Sequence, residues 1–153
     1  MFSATQVDTS RLDRAVTEAL LPGVRLPVLK WNRLNGMLKG FMDLVFVVED
    51  QYYVMDYKSN YLGDTNADYT RDAMGHAMAS HRYDLQLVLY TLALHRLLKA
   101  RLADYDYDIH VGGAVYLFLR GVDGTDNGVY GERPSRELME KLDRMFTGKH
   151  NEY

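Results

Sequence analysis

Apolar residues recur at helical spacing in three stretches of the chain and in strand-like runs in four others. Leu12, Val16, Leu20 and Leu21 follow a Thr9 or Ser10 cap, and Pro22-Gly23 supplies a stop, which predicts a short amphipathic helix. Residues 24–34 mix Val24, Leu26, Val28, Leu29 and Trp31 with Pro27 and several cations, the pattern of an edge strand. Met37 to Val48 and Tyr52 to Lys58 read as strands rich in β-formers, joined by a tight turn at Glu49-Asp50-Gln51. Together they predict a β-hairpin.

Residues 59–78 carry Ser59, Asn60, Gly63, Asp64, Asn66, Asp68 and Gly75, so they read as a polar connection, and one of that length tends to be functional. From 79 to about 103 there is no Gly or Pro, and Leu and Ala dominate, which predicts the longest helix. Gly112–Leu119 is a continuous apolar run bounded by turn residues, as in a strand covered on both faces. Residues 121–131 read as loop. Ser135 then opens a last amphipathic helix through Leu138, Leu142 and Phe146, with Gly148 beyond it. The order predicts an α/β architecture, a mixed β-sheet flanked by helices, in one domain over 1–153 with a short tail after about 147.

Composition narrows the chemistry. The chain of 153 residues has no cysteine, which excludes a disulfide framework, thiolate catalysis and sulfur-ligated zinc; any metal must be held by oxygen or imidazole. A reducing cytosol fits that composition. The apolar runs are too short for the ~18 residues of a membrane span, and the start lacks the pattern of a secretory signal, so a soluble, unexported protein is expected. With 18 Lys+Arg against 21 Asp+Glu the net charge is −3, which argues against nucleic-acid binding through bulk positive charge alone.

The polar residues of the hairpin carry the strongest signal. Side chains alternate along a strand, so Asp56 and Lys58 share one face. With a two- or four-residue loop, Asp43 falls directly opposite Asp56, at a Cβ separation of about 5 Å. A three-residue loop turns Asp43 to the other side. Two facing carboxylates among Leu44, Phe46, Val54 and Met55 repel unless a cation or a proton compensates. Hard oxygen ligands favour Mg²⁺, Mn²⁺ or Ca²⁺, and a lysine beside them suits metal-assisted phosphodiester hydrolysis. The same residues also fit a cross-strand Asp43–Lys58 ion pair with Asp56 at a solvated strand end.

Three segments in context bear on that choice: Gly36–Phe46 with Tyr53–Asn60, His81–Arg96, and Tyr116–Gly121. Together they closely resemble the C-terminal nuclease domain of RecB-type proteins, the β subunits of exodeoxyribonuclease V, in the PD-(D/E)xK superfamily. The resemblance covers nearly the whole chain and implies a restriction-endonuclease-like core. It implies that Asp43 and Asp56 are catalytic metal carboxylates, that the Tyr57 backbone carbonyl is a further ligand, and that Lys58 is the catalytic lysine. Gln86 and Tyr90 match the family's Gln-x-x-x-Tyr signature; one helical turn apart, they share a face that can be aimed at the hairpin or at DNA.

The resemblance further implies an Mg²⁺-dependent deoxyribonuclease, with Mn²⁺ or Ca²⁺ able to substitute in binding. By the same resemblance it would belong to a cytoplasmic bacterial helicase-nuclease that processes DNA ends for recombination and double-strand break repair. DNA, the sibling subunits RecC and RecD, and the RecA recombinase are the implied partners. Lys30, Arg33 and Lys39, beside the hairpin, are candidates for holding phosphate.

One departure stands out. The family places a metal-ligating histidine well upstream of the first aspartate, whereas no histidine precedes Asp43 here, so an N-terminally truncated domain is expected. His76 and His81 are read as surface or capping residues, and Glu18 as a solvated helix position. The alternative function is a catalytically incomplete module that docks the recombinase or a sibling subunit.

Overall fold

The computed structural model describes residues 8–23, 27 and 44–147. Apart from Pro27, the edge strand expected over 24–34 lies outside the described residues, as do 37–43 of the first hairpin strand and the tail after 147. Helix α1 (Thr9–Leu20) buries Leu12, Ala15 and Val16. Its cap is Asp8, one residue ahead of the expected hydroxyls, accepting from the amides of Ser10 (2.9 Å) and Arg11 (3.4 Å). A carboxylate is the stronger acceptor at the positive end of a helix.

Strands β1 (Leu44–Val48) and β2 (Gln51–Lys58) form the hairpin. Its turn is two residues, not three: Glu49 and Asp50 both take left-handed backbone, φ 50° and 66°, as a type I′ turn requires, and Gln51 joins the strand. The ladder pairs Leu44 with Met55 and Val48 with Gln51.

The polar connection is shorter than its composition suggests. After a 3₁₀ turn at Asn66–Asp68, helix α2 (Arg71–Ser80) begins at a Thr70 cap, whose hydroxyl accepts from the Ala73 amide at 3.2 Å. It buries Met74, Ala77 and Met78, a spacing of three and four that outweighs the single Gly75. Helix α3 (Tyr83–Arg101) is the longest, and it starts four residues later than expected. Arg82 interrupts the run with φ 55° and ψ 35°.

That kink places a buried guanidinium, 1% exposed, between Asp84 (3.1 and 3.2 Å) and Asp13 of α1 (2.9 Å), with the Pro27 carbonyl at 2.9 Å. These partners offset a left-handed cost of about 1–2 kcal/mol.

A single-turn helix, α4 (Tyr107–His110), leads into strand β3 (Val111–Phe118). Strand β4 (Val129–Glu132) corrects the loop expected over 121–131. Gly128 makes its return possible: at φ 77° a Cβ there would fall 2.6 Å from the Val122 nitrogen. Arg71 of α2 secures β4, donating to the Gly131 carbonyl (2.8 Å) and pairing with Glu132 (2.9 Å). Helix α5 (Arg136–Thr147) buries Leu138, Met139, Leu142 and Phe146, with Ser135 capping through the Leu138 amide.

Among the described residues the sheet has four strands in the order β1-β2-β3-β4. The outer pairs are antiparallel and β2/β3 is parallel, so the sheet is mixed. Helix α3 packs on β2 and β3, and α1, α2 and α5 pack against α3. The β3 run is fully buried mainly on the α3 face, at Ala114, Tyr116 and Phe118; Val115 and Leu117 on the other face are only half-buried.

Candidate active site

The face of β2 that meets α3 carries Val54, Asp56 and Lys58 in succession. Parallel pairing sets Asp56 beside Tyr116 and Lys58 beside Phe118. The result is a charged pair in a nearly closed space: the Asp56 side chain is 8% exposed and that of Lys58 13%. Lys58 Nζ stands 2.6 Å from Asp56 Oδ2 and donates to Gln86 Oε1 at 2.9 Å. Taking either charge out of water alone would cost several kcal/mol, on the order of the ion pair's own attraction. The pair is therefore built with its polar partners around it.

Gln86 is the junction of those partners. Its Oε1 also accepts from the Tyr116 hydroxyl at 2.9 Å, and its Nε2 donates to the Tyr90 hydroxyl at 3.2 Å. Two donors converging on one amide atom identify that atom as the oxygen, since a flipped amide would press N–H groups against an ammonium. Burial, with the Asp56 carboxylate adding to it, pushes the Tyr116 phenol well above its ordinary value of 10, so it stays protonated and donates.

Two aromatic rings complete the surroundings. Lys58 Nζ lies 4.1 Å from the Tyr83 ring centroid and 5.4 Å from that of Tyr116. The Tyr83 hydroxyl donates to Asn60 Oδ1 at 3.3 Å, tying α3 to the segment that leaves β2.

Of the residues singled out in the sequence, Asp56, Lys58, Gln86 and Tyr90 are brought together here. Gln86 and Tyr90 turn toward the hairpin, where Gln86 is half-buried and Tyr90 buried. The carboxylate that Lys58 meets is Asp56. The Tyr57 side chain is exposed on the opposite face of β2. The Lys58 carbonyl accepts from the Leu119 amide of the β3 side, so by alternation along the strand the Tyr57 carbonyl points toward the β1 side. Asp43, Lys30, Arg33 and Lys39 lie outside the described residues. His81 stands at the C-terminal cap of α2 and stacks on Tyr83, and Glu18 is exposed on α1.

Tyr83, Tyr116 and Asn60 were not anticipated. Tyr83 could have been found, because it precedes Gln86 by three positions and so shares its helix face. Tyr116 could not, since its place beside Asp56 depends on the parallel pairing of strands distant in sequence.

For a metal, the donors fit in kind. Asp56 and a backbone carbonyl are hard oxygen ligands, suited to Mg²⁺, Mn²⁺ or Ca²⁺ and not to a thiophilic ion. Among the described residues no group of three or more His, Asp or Glu side chains gathers as a complete metal site. A cavity of about 480 Å³ lies elsewhere, around His95, Lys99 and Tyr105 toward the other end of α3.

The mixed sheet, the Asp-x-Lys strand and the helix that closes over it are the restriction-endonuclease-like arrangement of a nuclease. Residues 5–150 match the PD-(D/E)XK nuclease superfamily, and the chain belongs to it. Nucleases of this superfamily generally use divalent metals. The chain is 51% identical over 141 residues to the RecBCD enzyme subunit RecB of Escherichia coli K12, covering 91% of this chain and 12% of that protein. The same subunit of Haemophilus influenzae is 47% identical over 119 residues (77% and 10%), and that of Mycolicibacterium smegmatis 40% over 132 (78% and 12%). The chain thus spans about an eighth or less of the length of these relatives. Among the described residues no helix is long and apolar enough to cross a membrane.

Proposed function

We propose that this domain hydrolyses DNA phosphodiesters with Mg²⁺, with Asp43, Asp56 and Lys58 as its catalytic residues. The observation that carries the reading is the position of Lys58, fixed between Asp56 Oδ2 and Gln86 Oε1 on a face walled by tyrosines. Of the three N–H donors of the ammonium, Gln86 Oε1 takes one, and Asp56 pairs with its charge. An N–H is thereby left for an oxygen of the substrate, where it offsets charge building on the phosphate.

In this reading Asp56, Asp43 and the Tyr57 carbonyl hold the ion. The two-residue turn supports Asp43: Leu44 pairs with Met55, the register in which the sequence reading sets Asp43 opposite Asp56. Bound there, Mg²⁺ supplies polarisation of the phosphodiester and a lowered pKa for a coordinated water. Asp56 both ligates and orients Lys58, which accounts for its burial. Lys30, Arg33 and Lys39 serve as phosphate contacts.

By likeness to the RecB subunits, we assign the domain, residues 1–153 with a tail after about 147, to a bacterial cytoplasmic helicase-nuclease that processes DNA ends for recombination and repair. RecC and RecD are then its sibling subunits and RecA a docking partner. The test is cleavage of linear duplex and single-stranded DNA by the full chain, with Mg²⁺ and with chelator, beside Asp43→Ala and Asp56→Ala. Cleavage that requires the metal and is lost in both variants is expected. Folded protein that binds RecA or a sibling subunit but neither binds metal nor cleaves DNA would establish the docking module instead.

A further inference from the structure

We propose that Tyr83 is a positioning residue for Lys58: its ring face holds the ammonium where the substrate phosphate arrives, without taking up the N–H that the phosphate needs. The inference rests on the proposed nuclease function and adds a residue to that site.

The geometry gives the reason. Lys58 carries a flexible four-carbon stem, and one hydrogen bond to Gln86 with one ion pair to Asp56 does not by itself fix Nζ. The Tyr83 ring centroid, 4.1 Å away, limits its remaining movement, with Tyr116 at 5.4 Å as a second wall. A ring face attracts a cation through its quadrupole, and more strongly where water is excluded, as it is around a lysine side chain that is 13% exposed. A second carboxylate would attract it too, but its lone pairs would compete with the phosphate for the remaining N–H.

Tyr83 is itself well braced. It opens α3 immediately after the Arg82 kink, its hydroxyl donates to Asn60 Oδ1 at 3.3 Å, and its ring stacks on His81 with centroids 5.1 Å apart. The Arg82 knot thus sets where α3 begins and, with it, where the ring stands. Gln86, three residues on, reaches the same ammonium from the same helix face.

The test replaces Tyr83 with phenylalanine carrying none, one, two or three ring fluorines, which weakens the ring's attraction for a cation with little change in shape. Steady-state cleavage of single-stranded DNA with Mg²⁺ gives kcat and KM for the full chain, alongside Tyr83→Leu and Lys58→Ala. Proton NMR follows the Lys58 ε-methylene, which a ring face shifts upfield.

The expected result is a graded fall in kcat, about tenfold across the series, with KM unchanged. Tyr83→Phe should recover most of the rate lost in Tyr83→Leu, and the upfield shift should be present in Phe and absent in Leu. A flat kcat series in a protein that Lys58→Ala inactivates would overturn the role of Tyr83 and leave the nuclease standing. Absent cleavage in the parent chain, or cleavage indifferent to Lys58→Ala, would instead overturn the nuclease reading and the positioning role of Tyr83 with it. A Lys58 methylene that shows no shift in the parent chain would overturn the cage itself, whatever the activity.

Discussion

Lys58 and Gln86 meet at 2.9 Å, ammonium to amide oxygen, and the same oxygen takes the Tyr116 hydroxyl at an equal distance. One side chain on α3 therefore fixes a charge on β2 and a phenol on β3. The contact joins the helix layer to the sheet at the proposed catalytic site.

Removing that acceptor should be felt in stability as well as rate. Gln86→Leu leaves the buried Tyr116 hydroxyl without its partner and Lys58 with only Asp56, a loss of about 1–3 kcal/mol. Gln86→Glu keeps an oxygen for both donors and should remain within about 1 kcal/mol of the parent. Urea unfolding of the two variants checks this, and a leucine variant as stable as the parent would contradict the shared-acceptor arrangement.

The Arg82 knot should be the most sensitive polar feature away from the site. Arg82→Ala leaves the Asp84 carboxylate, 4% exposed, and that of Asp13 without their cation, which should cost about 3–5 kcal/mol. Arg82→Gly loses the same pairs but not the left-handed backbone, so it should be milder than alanine by about 1 kcal/mol. Equilibrium denaturation of both variants measures the pair loss and the backbone strain separately.

His95 should give the fold a pH dependence near neutrality. Burial holds its imidazole below the ordinary 6.5, opposed by Asp143 and Glu140 of α5 and reinforced by Lys99 and Arg96 of α3. Its Nδ1 lies 2.5 Å from the Tyr105 hydroxyl, and burial raises that phenol, so Tyr105 donates and the neutral ring carries its proton on Nε2. Because the folded pKa is the lower one, the unfolded chain takes up a proton first as pH falls. Stability attributable to His95 is then full above about 6.5, declines as pH drops through that value, and levels off below the folded pKa. The difference in unfolding free energy between the parent and His95→Phe, followed from pH 8 to 5, should trace that step and no other.

Much of the site was legible in the sequence because it is written in local spacing. Asp56 and Lys58 share a strand face by alternation, and Gln86 and Tyr90 share a helix face by periodicity; neither needs the tertiary fold. What was not legible depends on contacts between distant segments. Arg82 breaks a helix with no glycine or proline to announce it, since its cause is a buried carboxylate two residues on and another on α1. Helix α2 was hidden by its polar surface and Gly75, and β4 by glycines that serve the strand's return. Tyr116 joins the site only through the parallel β2/β3 pairing, which the intervening helices impose.

The proposed function turns on Lys58 acting at the scissile phosphate. Its most direct test is single-turnover cleavage of end-labelled DNA by the full chain and by Lys58→Ala, with Mg²⁺ present and both proteins shown folded by their melting transitions. A fall of at least about a hundredfold is expected in the variant, the scale of removing one preorganised charge from a phosphate transition state. A Lys58→Ala protein that cuts within about twofold of the parent, a difference of under 1 kcal/mol in the barrier, would contradict it.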